Sequence, residues 1–467
     1  MTATTQRELL GLSIPELGGR IRSGETTPTA LARAAMDALD SAGRDLNAVV
    51  TITEERALRA ARQAEDELAA GRDRGPLHGI PWGAKDLLAA AGYPTTWGAA
   101  PLRDQVFDYD AAVVEKLDAA GAVLVAKLAM IELAGGMGYE ELDASFTGPC
   151  RNPWHRESWA GGSSAGSGAA VAARLLPFAI GSETFGSITG PASYSGLSGL
   201  RPTYGRVSRF GAMALSWTMD KLGPLCRSAE DCGLVLDAIA GPDARDSTAA
   251  SRQWSYPPAG RRTQGFRLAV LEGWQEGTQP EVAAAFEASL EILRPLGVIE
   301  EVGLPDMPSG QAARIIIASE GASAFEDMIE DGRVMELTAP SDRVKPFANA
   351  ALPARDYLRA MRVRRHVSAA FDRLLADYDA VVSPTTPHVA PLLSESLDRS
   401  RRPTTSAPIG APANLAGVPA ITVPNGFGER GLPTALQFTG RSWTEGRLLA
   451  VAGEYQARTD WHTQAPG

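Results

Sequence analysis

The stretch that decides the reading begins Ala160-Gly161-Gly162-Ser163-Ser164-Ala165-Gly166-Ser167-Gly168. It runs through an apolar, Ala-rich segment to Leu176 and continues Pro177-Phe178-Ala179-Ile180-Gly181-Ser182-Glu183-Thr184-Phe185-Gly186-Ser187. Ser163 and Ser187, each preceded by glycine, stand 24 residues apart, one helix and one strand's worth of chain. The pattern predicts a helix over 165–176 and a short strand over 178–181. Glycine lets backbone approach a reacting group closely and take positive φ, so Gly-Ser clusters at both ends of a compact unit suggest a site built from loops. Two glycine turns around a buried helix would account for either cluster alone.

Upstream, Gly79-Ile80-Pro81-Trp82-Gly83-Ala84-Lys85-Asp86 sets a lysine after an apolar segment. There an ammonium is partly desolvated and its pKa is drawn toward the range of a general base. A single lysine in a loop is usually solvated surface. A lysine with two serines, however, is an alternative to Ser-His-Asp for activating a hydroxyl.

Together these residues resemble the amidase signature family. Its pattern is Lys-Asp after Gly-Ile-Pro, then Gly-Gly-Ser-Ser-Gly-Gly-Ser, then Gly-Gly-Ser-Ile. The similarity continues through Gly199-Leu200-Arg201-Pro202-Thr203-Tyr204-Gly205-Arg206, Asp220-Lys221-Leu222-Gly223-Pro224 and Asn414-Leu415-Ala416-Gly417-Val418-Pro419. The resemblance implies that Ser187 is the nucleophile, Ser163 the bridging serine and Lys85 the base. It implies an oxyanion hole of backbone N–H groups from Thr184, Phe185, Gly186 and Ser187, and substrate contacts at Met137, Gly138 and Phe185. Such a relay is chemically coherent. Neutral Lys85 takes a proton from Ser163, Ser163 takes one from Ser187, and Ser187 attacks a carbonyl whose developing charge the amides receive. Run backwards, the relay protonates the leaving amine, and water then cleaves the acyl-enzyme. The implied partner is a small-molecule amide, with no cofactor and no metal, and the resemblance allows a homodimer.

Four positions depart from the family pattern. Ala165 replaces a glycine, and the usual Asp-Thr-Gly-Gly-Ser-Ile-Arg is here Glu183-Thr184-Phe185-Gly186-Ser187-Ile188-Thr189. A charge arrangement beside the nucleophile is therefore rebuilt. Phe185 adds a ring to a loop otherwise lined by backbone, and that ring is expected either to wall the pocket or to pack into the core.

Composition bounds the class. The 467 residues, 44% hydrophobic and 21% charged, are an ordinary soluble globular mixture, enough for a large core. The lack of an apolar run of about 18 residues, and of an apolar leader in Met1-Thr2-Ala3-Thr4-Thr5-Gln6-Arg7, predicts a cytoplasmic protein with no membrane contact. A net charge of −10 argues against nucleic acid as a partner. Cys150, Cys226 and Cys232 lack metal-binding spacing and read as reduced thiols, and the five histidines are scattered.

The expected class is α/β: the amidase signature fold, a mixed twisted β-sheet sandwiched between helices (α/β/α), as one domain over 1–467. Helices within 6–70 should pack outside a sheet that starts near Gly79. Beyond them, helices are expected at 110–120, 228–240, 280–293, 312–331 and 356–377, and strands at 122–126, 266–271, 380–383, 420–423 and 434–438. Residues 241–262 read as a loop. Pro and charge break the periodicity over 338–353, which falls in the stretch 305–355, expected to form a cap facing the substrate.

Rival chemistry is weaker. The first cluster lacks the Gly-Lys-Ser/Thr ending of a phosphate-binding loop. Gly162-Ser163-Ser164-Ala165-Gly166 matches Gly-x-Ser-x-Gly, which would make Ser164 an esterase nucleophile followed by Asp377 or Asp379 and His388. That motif needs a preceding strand, and 151–159 shows none. Within the amidase reading, a stand-alone carboxamide hydrolase comes first and the glutaminase (A) subunit of a tRNA-dependent amidotransferase second. A non-hydrolytic acyl transferase or inactive homologue is a third reading.

Overall fold

The computed structural model describes residues 3–257, 262–395 and 408–467. One mixed sheet contains β1 Val49–Ile52, β2 Pro81–Lys85, β3 Val123–Leu128, β4 Phe178–Glu183, β5 Ser198–Arg201, β6 Lys221–Cys226, β7 Phe266–Leu271, β8 Gly297–Val302, β9 Ala380–Pro384, β10 Ala420–Phe427 and β11 Pro433–Thr439. The strand order is β1-β3-β2-β4-β6-β5-β10-β11-β9-β7-β8. β3/β2, β2/β4, β9/β7 and β7/β8 are parallel. The remaining neighbours are antiparallel. Helices flank the sheet, so β2, β3 and β4 are buried along their whole length, as parallel strands covered on both faces must be.

Several elements fall where the pattern put them. The strand Phe266–Leu271 and the helix Pro280–Leu293 match to the residue. Ser228 caps the helix Ala229–Ile239, its side chain accepting from the Asp231 N–H.

Other elements differ, for identifiable reasons. The sheet starts before Gly79: β1, four residues between two helices, pairs with β3 at the edge and is too short for a visible period. The strand expected near Gly79 is β2, which carries Lys85 at its end and has Pro81 at its first position, where proline is tolerated. β6 holds Gly223 and Pro224, poor strand formers, yet pairs with β4 along its whole length, so tertiary pairing overrides propensity. β5 and β8 are likewise additions to the expected strands.

The expected break over 338–353 is largely the helix Pro340–Ala350, with Pro346 inside it. The expected 312–331 helix is two, Ser309–Ala324 and Glu326–Glu330. The loop expected over 241–262 has no helix or strand in its described residues; positions 258–261, and residues 1–2 of the start read for a leader, lie outside them. No helix among the described residues is long and apolar enough to cross a membrane.

Candidate active site

Lys85 ends β2 and is fully buried. Its neighbour fixes the strand end: Asp86 pairs with Lys127 of β3 at 2.8 Å and accepts from the Thr96 N–H at 3.0 Å. β4 lies parallel beside β2, so both strands present their carboxyl ends at one edge, the usual place for a ligand in such sheets. Lys85 Nζ lies 2.7 Å from Ser163 Oγ and 2.9 Å from Ser182 Oγ. Burial pulls its pKa down to about 7, with Asp220 and Glu183 drawing it partly back up. A neutral amine, able to accept the Ser163 proton over the same contact, is therefore within reach near neutral pH.

Ser163 sits in the turn before the helix Ala165–Ala172, after a cis Gly162–Ser163 peptide. That helix starts close against the β3 end because residue 166 is glycine: a Cβ there would lie 2.3 Å from Ala48 O, while the Gly166 N–H donates to Ala129 O at 2.8 Å. Ser164, the rival nucleophile, is fully buried, its hydroxyl donating to Ser182 O at 3.2 Å and accepting from the Ser182 N–H at 3.3 Å. Asp379 pairs instead with Arg262 at 2.7 Å and Arg447 at 3.4 Å. Of the residues named for the esterase reading, the Ser164 hydroxyl is thus committed to strand backbone and the Asp379 carboxylate to arginines.

Ser187 follows β4 in a tight turn held from beneath. The Glu183 carboxylate accepts from the Ile188 N–H at 2.9 Å, the Thr189 N–H at 3.0 Å, Thr189 Oγ1 at 3.1 Å and Arg201 Nη1 at 2.8 Å. Burial would raise the pKa of Glu183, but Arg201 and Lys221 overcome it and hold it at about 2. The two departures from the family pattern therefore meet: the carboxylate of Glu183 spans the turn, and Thr189 donates to it. Gly186 takes φ +94°, a conformation that favours glycine. The N–H groups of Phe185, Gly186 and Ser187 donate to no acceptor among the described residues, which leaves donors next to the Ser187 hydroxyl for a developing oxyanion. The same residues include no hydrogen bond between Ser163 and Ser187, so one link of the expected relay is formed and one is open.

Ser187 borders a cavity of about 530 Å³, together with Met137, Gly138 and Phe185. The opposite wall comes from the helices Ser309–Ala324 and Pro340–Ala350, through Arg314, Ile317 and Lys345. Phe185 occupies both expected places, since its ring lines the cavity and packs on the apolar cluster that contains Ala313 and Ile316. Gly138 rests on the first turn of Pro340–Ala350, where a Cβ would meet Asp342 Oδ1 at 2.5 Å. Glu132 caps that turn, accepting from the Thr338 and Ala339 N–H groups at 2.9 and 2.8 Å. Burial, reinforced by Glu132 and Glu141, pushes Asp342 up to about 7.

Ser182, the second hydroxyl on Lys85, is the site residue that sequence reasoning missed. Its position depends on the register of β2 on β4, Ala84 opposite Ile180, which no local pattern encodes. Among the described residues, no group of three or more His, Cys, Asp or Glu side chains is placed to hold a metal ion.

The sequence matches the model of the amidase family over residues 30–449. It is 37% identical to the A subunit of the glutamyl-tRNA(Gln) amidotransferase of Methylococcus capsulatus, over 97% of this chain and 98% of the relative. Among solved structures, it superposes with a TM-score of 0.88 and 32% identity on an inhibitor-bound protein complex studied for the origins of an s-triazine catabolic enzyme, covering 96% of this chain and 98% of that one. It superposes with a TM-score of 0.85 and 32% identity on the peptide amidase of Stenotrophomonas maltophilia, covering 96% of each chain.

Proposed function

The chain belongs to the amidase signature family and hydrolyses amide C–N bonds, and we propose that it does so through an acyl-enzyme on Ser187, releasing ammonia from a small primary carboxamide in concert with a protein partner. The observation that carries this reading is the 2.7 Å contact between buried Lys85 and Ser163. Neutral Lys85 takes the Ser163 proton, and Ser163 takes that of Ser187 as the substrate seats and closes the open link, since catalytic hydrogen bonds tighten in the bound complex. Ser187 attacks the carbonyl carbon, and the oxyanion meets the N–H groups of the 184–187 turn. The protons return through Ser163 to the leaving nitrogen, and water then hydrolyses the acyl ester by the same relay.

The partner-dependent form takes precedence over the stand-alone hydrolase that the sequence put first. Identity of 37% to the A subunit of an amidotransferase, over nearly the full length of both chains, supports that order. The stand-alone amidase is the second reading, favoured by Phe185 on the cavity wall, because a ring suits an acyl group with an apolar body. Ammonia release from L-glutamine and from neutral primary amides, with and without candidate partner proteins, separates them. Glutamine turnover that rises with a partner and is lost in Ser187→Ala is the expected result. Full activity without any partner favours the second reading, and no ammonia from any amide overturns both.

A further inference from the structure

We propose that Arg314 is an anion-binding residue of the acyl cavity and that the substrates are amides whose acyl group ends in a carboxylate; this rests on the amide hydrolysis at Ser187 argued above. Three residues with side chains charged at neutral pH line the cavity that Ser187 borders: Glu140, Arg314 and Lys345. Lys345 and Glu140 form an ion pair with one another, which balances their charges. Arg314, on the helix Ser309–Ala324, is exposed and makes no hydrogen bond or ion pair with any described residue.

The remaining wall is mainly apolar or small, with Met137, Phe185, Leu215 and Ile317 its largest apolar members. A nucleophile, an apolar wall and one unbalanced guanidinium in the same cavity select an acyl group with a methylene body and a negative end. The planar guanidinium fork matches a carboxylate with two parallel N–H···O bonds. A neutral acyl group would leave the cation of Arg314 unused.

Glutaramate and pentanamide test this directly, because they share the amide and the methylene chain and differ in a terminal carboxylate against a methyl group. Wild-type kcat/KM should favour glutaramate by about tenfold or more. Arg314→Gln should lower that value about 10- to 100-fold, mainly through KM, while changing pentanamide by no more than about twofold. Arg314→Lys should restore part of the loss. Calorimetric binding to Ser187→Ala, which cannot turn the ligands over, should show the same preference and lose it when Arg314→Gln is added. Equal binding of the two amides, or an equal loss for both in Arg314→Gln, overturns the proposal. A binding preference that persists although no amide is hydrolysed upholds Arg314 and overturns the role of Ser187.

Discussion

Glu183 and Arg201 form a buried ion pair, Oε1 to Nη1 at 2.8 Å, under the turn that carries Ser187. The same carboxylate holds the N–H groups of Ile188 and Thr189. Glu183→Gln leaves the guanidinium of Arg201 buried without its counter-charge, so unfolding by urea should show a loss of about 3–5 kcal/mol. Because the folded-state pKa lies below the ordinary 4.5, at about 2, this contribution is complete above pH 4.5 and decays as pH falls toward 2. A variant as stable as the wild type at pH 7 would contradict the role given to the pair.

Asp342 has the opposite sign. Its folded-state pKa is raised from 3.8 to about 7 by burial, reinforced by the nearby carboxylates of Glu132 and Glu141. The folded state therefore binds the extra proton, and wild-type stability falls as pH rises from about 4 to about 7. Asp342→Asn keeps a donor and never ionises. Its melting temperature should gain on the wild type progressively through that window, ending more stable at pH 8 by on the order of 1 kcal/mol or more. Parallel melting curves at pH 5 and pH 8 would rule this out.

Phe185→Ala should produce two separable effects, because the ring both lines the cavity and packs on the cluster behind it. Stability should drop by about 1–2 kcal/mol, less than for a fully enclosed phenylalanine. The ranking of amides by kcat/KM should also change, with losses of about 1–3 kcal/mol for acyl groups that touch the ring. A uniform rate loss across acyl groups would assign the ring to the core alone.

The residues of the proposed relay stood out because Lys85, Ser163 and Ser187 sit in short stretches rich in glycine, and the fold brings the first two to 2.7 Å of one another. The alternation of helix and buried strand was legible too, from 165–176 through to 434–438. What sequence concealed was what register decides. β6, with Gly223 and Pro224, is a strand because β4 pairs with it, and Ser182 reaches Lys85 only because β2 and β4 are aligned as they are. Pro346 hid a helix that lines the cavity, since a proline inside a helix is a tertiary compromise rather than a local preference.

That Lys85 activates Ser187 through Ser163 is tested most directly by the pH dependence of covalent labelling with a fluorophosphonate, the modified residue being identified by mass spectrometry. The expected result is a label on Ser187 whose rate climbs as Lys85 loses its proton around pH 7. In Lys85→Ala and Lys85→Arg that rate should fall by a factor on the order of 10³ or more and the climb should vanish. A label on Ser164, or an unchanged pH profile in Lys85→Ala, would contradict the relay.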